Sequence, residues 1–95
     1  MDVGKLVEVL ATARSILSRP ENDFAWSSWS DAESALIELD ELVRQLFTGE
    51  HVDWLRLARL FAPTGPIQEV SLSSGWGEEF ITLAERFDAA LDPGD

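Results

Sequence analysis

Apolar residues recur along the chain at spacings of three and four, the signature of helices that bury one face. Between Asp2 and Ser18 the stripe is Val3, Leu6, Val7, Leu10, Ala13 and Leu17. Asp2 has the chemistry of an N-cap and Pro20 closes the segment, so the pattern predicts a first helix over 2–18. A second stripe, Ala32, Ala35, Leu36, Leu39, Leu42, Val43 and Leu46, predicts a helix over 30–48. Ser30-Asp31-Ala32-Glu33 reads as a capping box at its start, hydroxyl and carboxylate each satisfying the other's orphan backbone N–H. Gly49 is a natural stop.

Beyond Gly49 the pattern is shorter in range. Residues 50–61 are apolar nearly all round (Trp54, Leu55, Leu57, Ala58, Leu60, Phe61), and only Asp53, Arg56 and Arg59 mark a wet side. That predicts a short third helix near the centre of the fold. Pro63-Thr64-Gly65-Pro66 is a turn, and Pro66 at the first helical position with Gly75 as stop predicts a short helix over 66–74. A strand there, with Val70 and Leu72 alternating with serines, is the competing reading but has no second strand to pair with. Trp76, Phe80, Leu83, Ala84, Phe87 and Leu91 line one face of a last helix over 77–91. Glu78 and Glu79 suit its first turn, and Asp92-Pro93-Gly94 ends it. The sum is an all-α fold, a small four-helix bundle with a short fifth helix, in a single domain over 1–95. Its predicted core is Leu6, Leu10, Leu17, Leu36, Leu39, Val43, Leu46, Trp54, Ala58, Phe61, Phe80, Leu83 and Phe87.

Charge narrows the partners. Eighteen acidic residues against seven basic ones leave a net charge of −11 on 95 residues, and the acids are spread evenly. A phosphate backbone demands a basic face, so nucleic acid is excluded as a partner class, and anionic membrane surfaces are disfavoured by the same sign. A basic protein is the partner this charge favours. The absence of cysteine excludes a disulfide framework and any thiolate metal site, and fits a reducing cytoplasm. No apolar run approaches the length of a membrane span. Asp2, Lys5, Glu8, Arg14 and Arg19 interrupt the apolar centre that a secretory signal requires, so a cytoplasmic location is expected.

Catalytic chemistry is sparse. His51 is the only histidine, and its neighbours Glu50 and Asp53 stand at the wrong spacing to share a metal with it on one helical face. No serine can be matched with both a base and an orienting group. The carboxylate pairs Glu78-Glu79, Asp40-Glu41 and Asp31…Glu33 are what so acidic a surface contains by default, and such a pair works only where burial separates the two pKa values. Ser73-Ser74-Gly75-Trp76-Gly77 precedes a helix as a phosphate loop would, but Glu78 and Glu79 put negative charge where the phosphate would sit. No catalytic, cofactor-binding or metal-ligating residue is assigned, no cofactor is expected, and the chain reads as a non-enzyme.

Two features point to binding instead. The segment between Pro20 and Trp29 carries Phe24, Trp26 and Trp29 among polar residues. These rings either cover an open end of the bundle or anchor a partner, where tryptophan is enriched. On the second helix, Glu33, Asp40, Glu41 and Arg44 surround Ile37 on the side opposite the stripe, an apolar centre with a charged rim. The expected partner-binding set is Trp26, Trp29, Glu33, Ile37, Asp40 and Glu41. The alternative is a homodimer that buries Ile37, Ile81 and the third helix in a two-fold patch.

The run from Phe61 to Phe87, FAPTGPIQEVSLSSGWGEEFITLAERF, resembles a stretch found in a family of small uncharacterised bacterial proteins. There a Pro-Thr-Gly turn leads through a Gln-Glu segment to a Gly-Trp pair opening the last helix. The resemblance implies that Pro63, Gly65, Gly75 and Trp76 shape the turn and the start of the helix, and it implies no site residue. In size and acidity the chain is also similar to bacterial immunity proteins, which neutralise partner toxins that are often basic nucleases. That similarity is one of physical type. It implies a stoichiometric inhibitor of a basic toxin.

Overall fold

A helix end leaves backbone groups unpaired, and the residues that satisfy them decide where each element starts and stops. In the computed structural model, which describes residues 2–49 and 51–91, the Asp2 carboxylate accepts from the Lys5 N–H at 3.0 Å and opens α1 (Val3–Leu17). Asp31 does the same for α2 (Ala32–Thr48), accepting from the Ser34 N–H at 2.9 Å. The predicted box is therefore displaced by one residue: Ser30 does not cap, and its hydroxyl lies 3.2 Å from that of Ser34. Gly49 closes α2 in the left-handed conformation, at φ 70°.

The third helix starts later than its apolar run. His51 has φ 49°, left-handed, which breaks helical continuity. The Asp53 N–H then donates to the Gln45 side-chain oxygen at 2.9 Å, and its carboxylate accepts from the Arg56 N–H at 3.0 Å, opening α3 (Trp54–Phe61). Glu50, where the helix was expected to begin, lies outside the described residues. At the following turn Gly65 is required by close approach. A Cβ there would stand 2.3 Å from the Arg59 carbonyl oxygen and 2.9 Å from that of Ala62.

Pro66 begins α4 (Pro66–Ser74), so residues 66–74 are helix and not strand. Gly75, at φ 84°, ends it, and α5 (Gly77–Leu91) follows at once. The expected stop at Asp92-Pro93-Gly94 lies outside the described residues. The fold is all-α, and no strand occurs among the described residues. No helix among them is long and apolar enough to cross a membrane.

α5 is the organising helix: it lies against α1, α3 and α4, while α2 lies against α1 and α3 against α4. Leu6, Leu10 and Leu17 of α1 meet Leu39 and Leu42 of α2 and Leu83 of α5 in one fully buried cluster that extends to Leu57, Leu60 and Ile67. Phe61 stacks on Phe87 with ring centroids 4.3 Å apart, tying α3 to α5. Leu46, Phe80 and Phe87 are buried as expected, and Leu36 and Val43 are partly buried against the same core. Two expected core residues are not. Trp54 is 42% exposed and Ala58 faces solvent, because α3 is a surface helix that docks through Leu57, Leu60 and Phe61 on one side only. The expectation of a central third helix is corrected accordingly.

Candidate partner-binding surface

The segment from Ser18 to Asp31 has no periodic pattern, yet side chains hold it in place. Asn22 donates to the Ile16 carbonyl at 2.8 Å and accepts from the Trp76 indole N–H at 2.8 Å. Beside it the Asp23 N–H donates to the Ser74 hydroxyl at 2.8 Å, and Arg19 forks onto Glu79 at 3.0 and 3.2 Å. The segment is thus pinned to the corner between α4 and α5. Its three aromatics part company there. Trp29 is buried in the core and Phe24 is partly buried against it, whereas Trp26 is 77% exposed. Trp29 is therefore a core residue with no face to offer a partner. Trp26 remains available.

The outer face of α2 keeps its predicted centre. Ile37 is 63% exposed, and the loop aromatics do not fold over it. Its rim is less charged than its composition implies. Arg14 of α1 reaches across to donate twice to Asp40, at 2.8 and 3.2 Å, and Arg44 forks onto Glu41. These hydrogen bonds hold both carboxyl groups below the usual carboxylate range and raise the Arg14 guanidinium. Each ion pair is neutral at a distance, so of Glu33, Asp40 and Glu41 only Glu33 projects charge without an ion-pair partner among the described residues. Solvent-exposed pairs of this kind add little to stability.

A second surface was not anticipated. α4 and α5 meet in an open groove of about 580 Å³. Leu72, 68% exposed, and Ile81, 56% exposed, stand on its walls, above the buried rings of Trp76 and Phe80. A Cβ on Gly77 would lie 3.5 Å from a Leu72 methyl, so Leu72 leans over the first turn of α5. Its exposure follows from helical geometry. With Ile67, Val70 and Ser71 turned inward, residue 72 points about 140° from Ile67. The helix expected over 66–74 already places Leu72 on its outer side in projection. Along α5, Ile81 shares its outward side with Glu78, Glu85 and Asp88, all within about 80°. No ion pair engages these three among the described residues, and no basic side chain lines the groove.

The remaining surface offers little chemistry. His51 is exposed at the turn before α3. Among the described residues no group of three or more His, Cys, Asp or Glu converges to hold a metal ion. α3 presents Trp54 and Leu55, the latter 76% exposed, beside the exposed Arg56 and Arg59. No protein-family model, curated protein or solved structure matches the chain.

Proposed function

We propose that this chain is a non-enzymatic protein-binding module for a basic protein partner, acting as an immunity-type inhibitor of a basic toxin. The observation that supports this reading is the set of bulky apolar side chains, Trp26, Ile37, Leu72 and Ile81, left exposed on a carboxylate-rich surface beside a filled core. A small scaffold of charge −11 attracts a positive surface over a distance and speeds encounter, by roughly 10- to 1,000-fold at low salt. Once the surfaces meet, apolar anchors slow dissociation, and charge contributes more to partner choice than to final affinity. A cysteine-free chain suits the reducing cytoplasm in which such an inhibitor would act. The test is capture by the immobilised chain of the product of its neighbouring reading frame, with association rates followed across ionic strength. A basic partner whose on-rate falls with salt is expected. An acidic partner, or a salt-independent rate, overturns the reading.

One observation favours self-association as a second reading, and it belongs to α3. Trp54 and Leu55 stand exposed beside Arg56 and Arg59, so a two-fold contact there would meet less repulsion than one built on carboxylates. Sedimentation at low and high salt separates the two readings: the inhibitor reading expects a monomer in both.

A further inference from the structure

We infer that the groove between α4 and α5, and not the outer face of α2, is the seat for a basic amphipathic segment of the partner, one that offers an apolar side chain flanked by lysine or arginine. The inference rests on the proposed reading of a basic protein partner and assigns that partner a place. The apolar half of the match is Leu72 and Ile81, both more than half exposed on either side of a concave surface. The charged half is Glu78, Glu85 and Asp88, which share the outward side of α5 with Ile81 and have no ion-pair partner among the described residues. On α2 the corresponding carboxylates Asp40 and Glu41 are already answered by Arg14 and Arg44. Among the described residues, an incoming cation would meet one unanswered rim carboxylate there, Glu33, whereas on α5 it meets three.

Other occupants fit less well. An anion could use the N–H groups at the start of α5, but Glu78 and Glu79 occupy that turn with like charge. A second copy would bring two chains of −11 together with Glu78, Glu85 and Asp88 near the contact from both sides. The groove is also preformed. Glu79 on its edge is held by Arg19, and Trp76 beneath it is held by Asn22.

The test is a titration of the isotope-labelled full chain with a short amphipathic leucine–lysine peptide, followed by amide chemical shifts. The counterpart peptide with glutamate in place of lysine serves as control. The largest shifts are expected at Leu72, Gly75, Glu78, Ile81 and Glu85. The double variant Leu72→Ser with Ile81→Ser should weaken binding at least about tenfold, while Phe47→Ser, at an exposed residue near the end of α2, leaves it unchanged. Raising salt from about 0.05 to 0.3 M, which shortens the screening length, should weaken it further. Shifts centred on Ile37 and Trp26 would overturn the groove while leaving the basic-partner reading standing. No shift anywhere with the lysine peptide would overturn both. Equal binding of the glutamate peptide, or groove shifts that depend on the chain's own concentration before any peptide is added, would also refute the inference.

Discussion

Asn22→Ala should cost far more stability than a loop asparagine ordinarily does. In the folded chain its amide donates to the Ile16 carbonyl and accepts from the Trp76 indole N–H, each at 2.8 Å. Losing the two bonds removes about 1 kcal/mol each. The Ile16 carbonyl keeps a second donor, the Arg19 N–H at 3.2 Å, so it is not orphaned. The Trp76 N–H is, on a side chain that is only 6% exposed, and an unsatisfied buried donor adds roughly 1–3 kcal/mol. The sum is about 3–5 kcal/mol. At roughly 4–8 °C per kcal/mol for a domain of this size, the melting temperature should fall by about 12–40 °C. Thermal and denaturant unfolding would measure it, and a double-mutant cycle with Trp76→Phe isolates the pair. With no indole N–H left to orphan, the double variant should lose less than the sum of the singles, by about 1 kcal/mol or more. A melting point within about 4 °C of the parent, under 1 kcal/mol by the same scale, would mean that water replaces Asn22 and that the 18–31 segment is not held as described.

Two further outcomes follow from burial and charge. Trp29→Ala should cost about 3–5 kcal/mol as a core truncation, while Trp26→Ala should stay within about 0.5 kcal/mol, being exposed; equal losses in denaturant titrations would refute the division of the loop aromatics. Because Arg14 lowers the Asp40 pKa in the folded state, the pair's contribution is present above the ordinary carboxylate pKa, near 3.9, and is lost as pH falls through the lowered folded value. Asp40→Asn should therefore be less stable than the parent at neutral pH, with the gap closing on acidification below about pH 4; a gap that persists or widens in thermal melts at low pH would contradict the pairing.

The long amphipathic helices were legible because their stripes are one-sided. Leu6, Leu10 and Leu17, or Leu39 and Leu46, leave no doubt about which face is inside. α3 was misread for the opposite reason. Its apolar arc is broad, about 220° from Leu60 through Phe61 and Trp54 to Leu55, so the arc alone does not say which part docks, and contact with α4 and α5 selects Leu57, Leu60 and Phe61 over Trp54 and Ala58. The segment carrying Trp26 and Trp29 has no period at all. The side chain that enters the core there is selected by anchors such as Asn22, whose partner lies more than fifty residues away in sequence. On α2 the apolar centre at Ile37 could be read from spacing, but the neutralisation of Asp40 could not, because Arg14 belongs to another helix. The helix expected over 66–74 turns Leu72 outward in projection, but the groove itself depends on how α4 meets α5, which neither helix encodes alone.

The unequal partnership of the helices has a consequence for how the fold comes apart. α5 is held by α1, α3 and α4, whereas the close helix contact of α2 is with α1. Detaching α2 uncovers Leu39, Leu42 and Leu46 but leaves the stack of Phe61 on Phe87 and the α4–α5 corner intact. Proteins open in such cooperative units, each with its own free energy below the global value. Opening of α2 as such a unit predicts that its backbone amides exchange with solvent deuterium ahead of those in the middle of α5. The chain can loosen one blade while the surface formed by α4 and α5 keeps its shape.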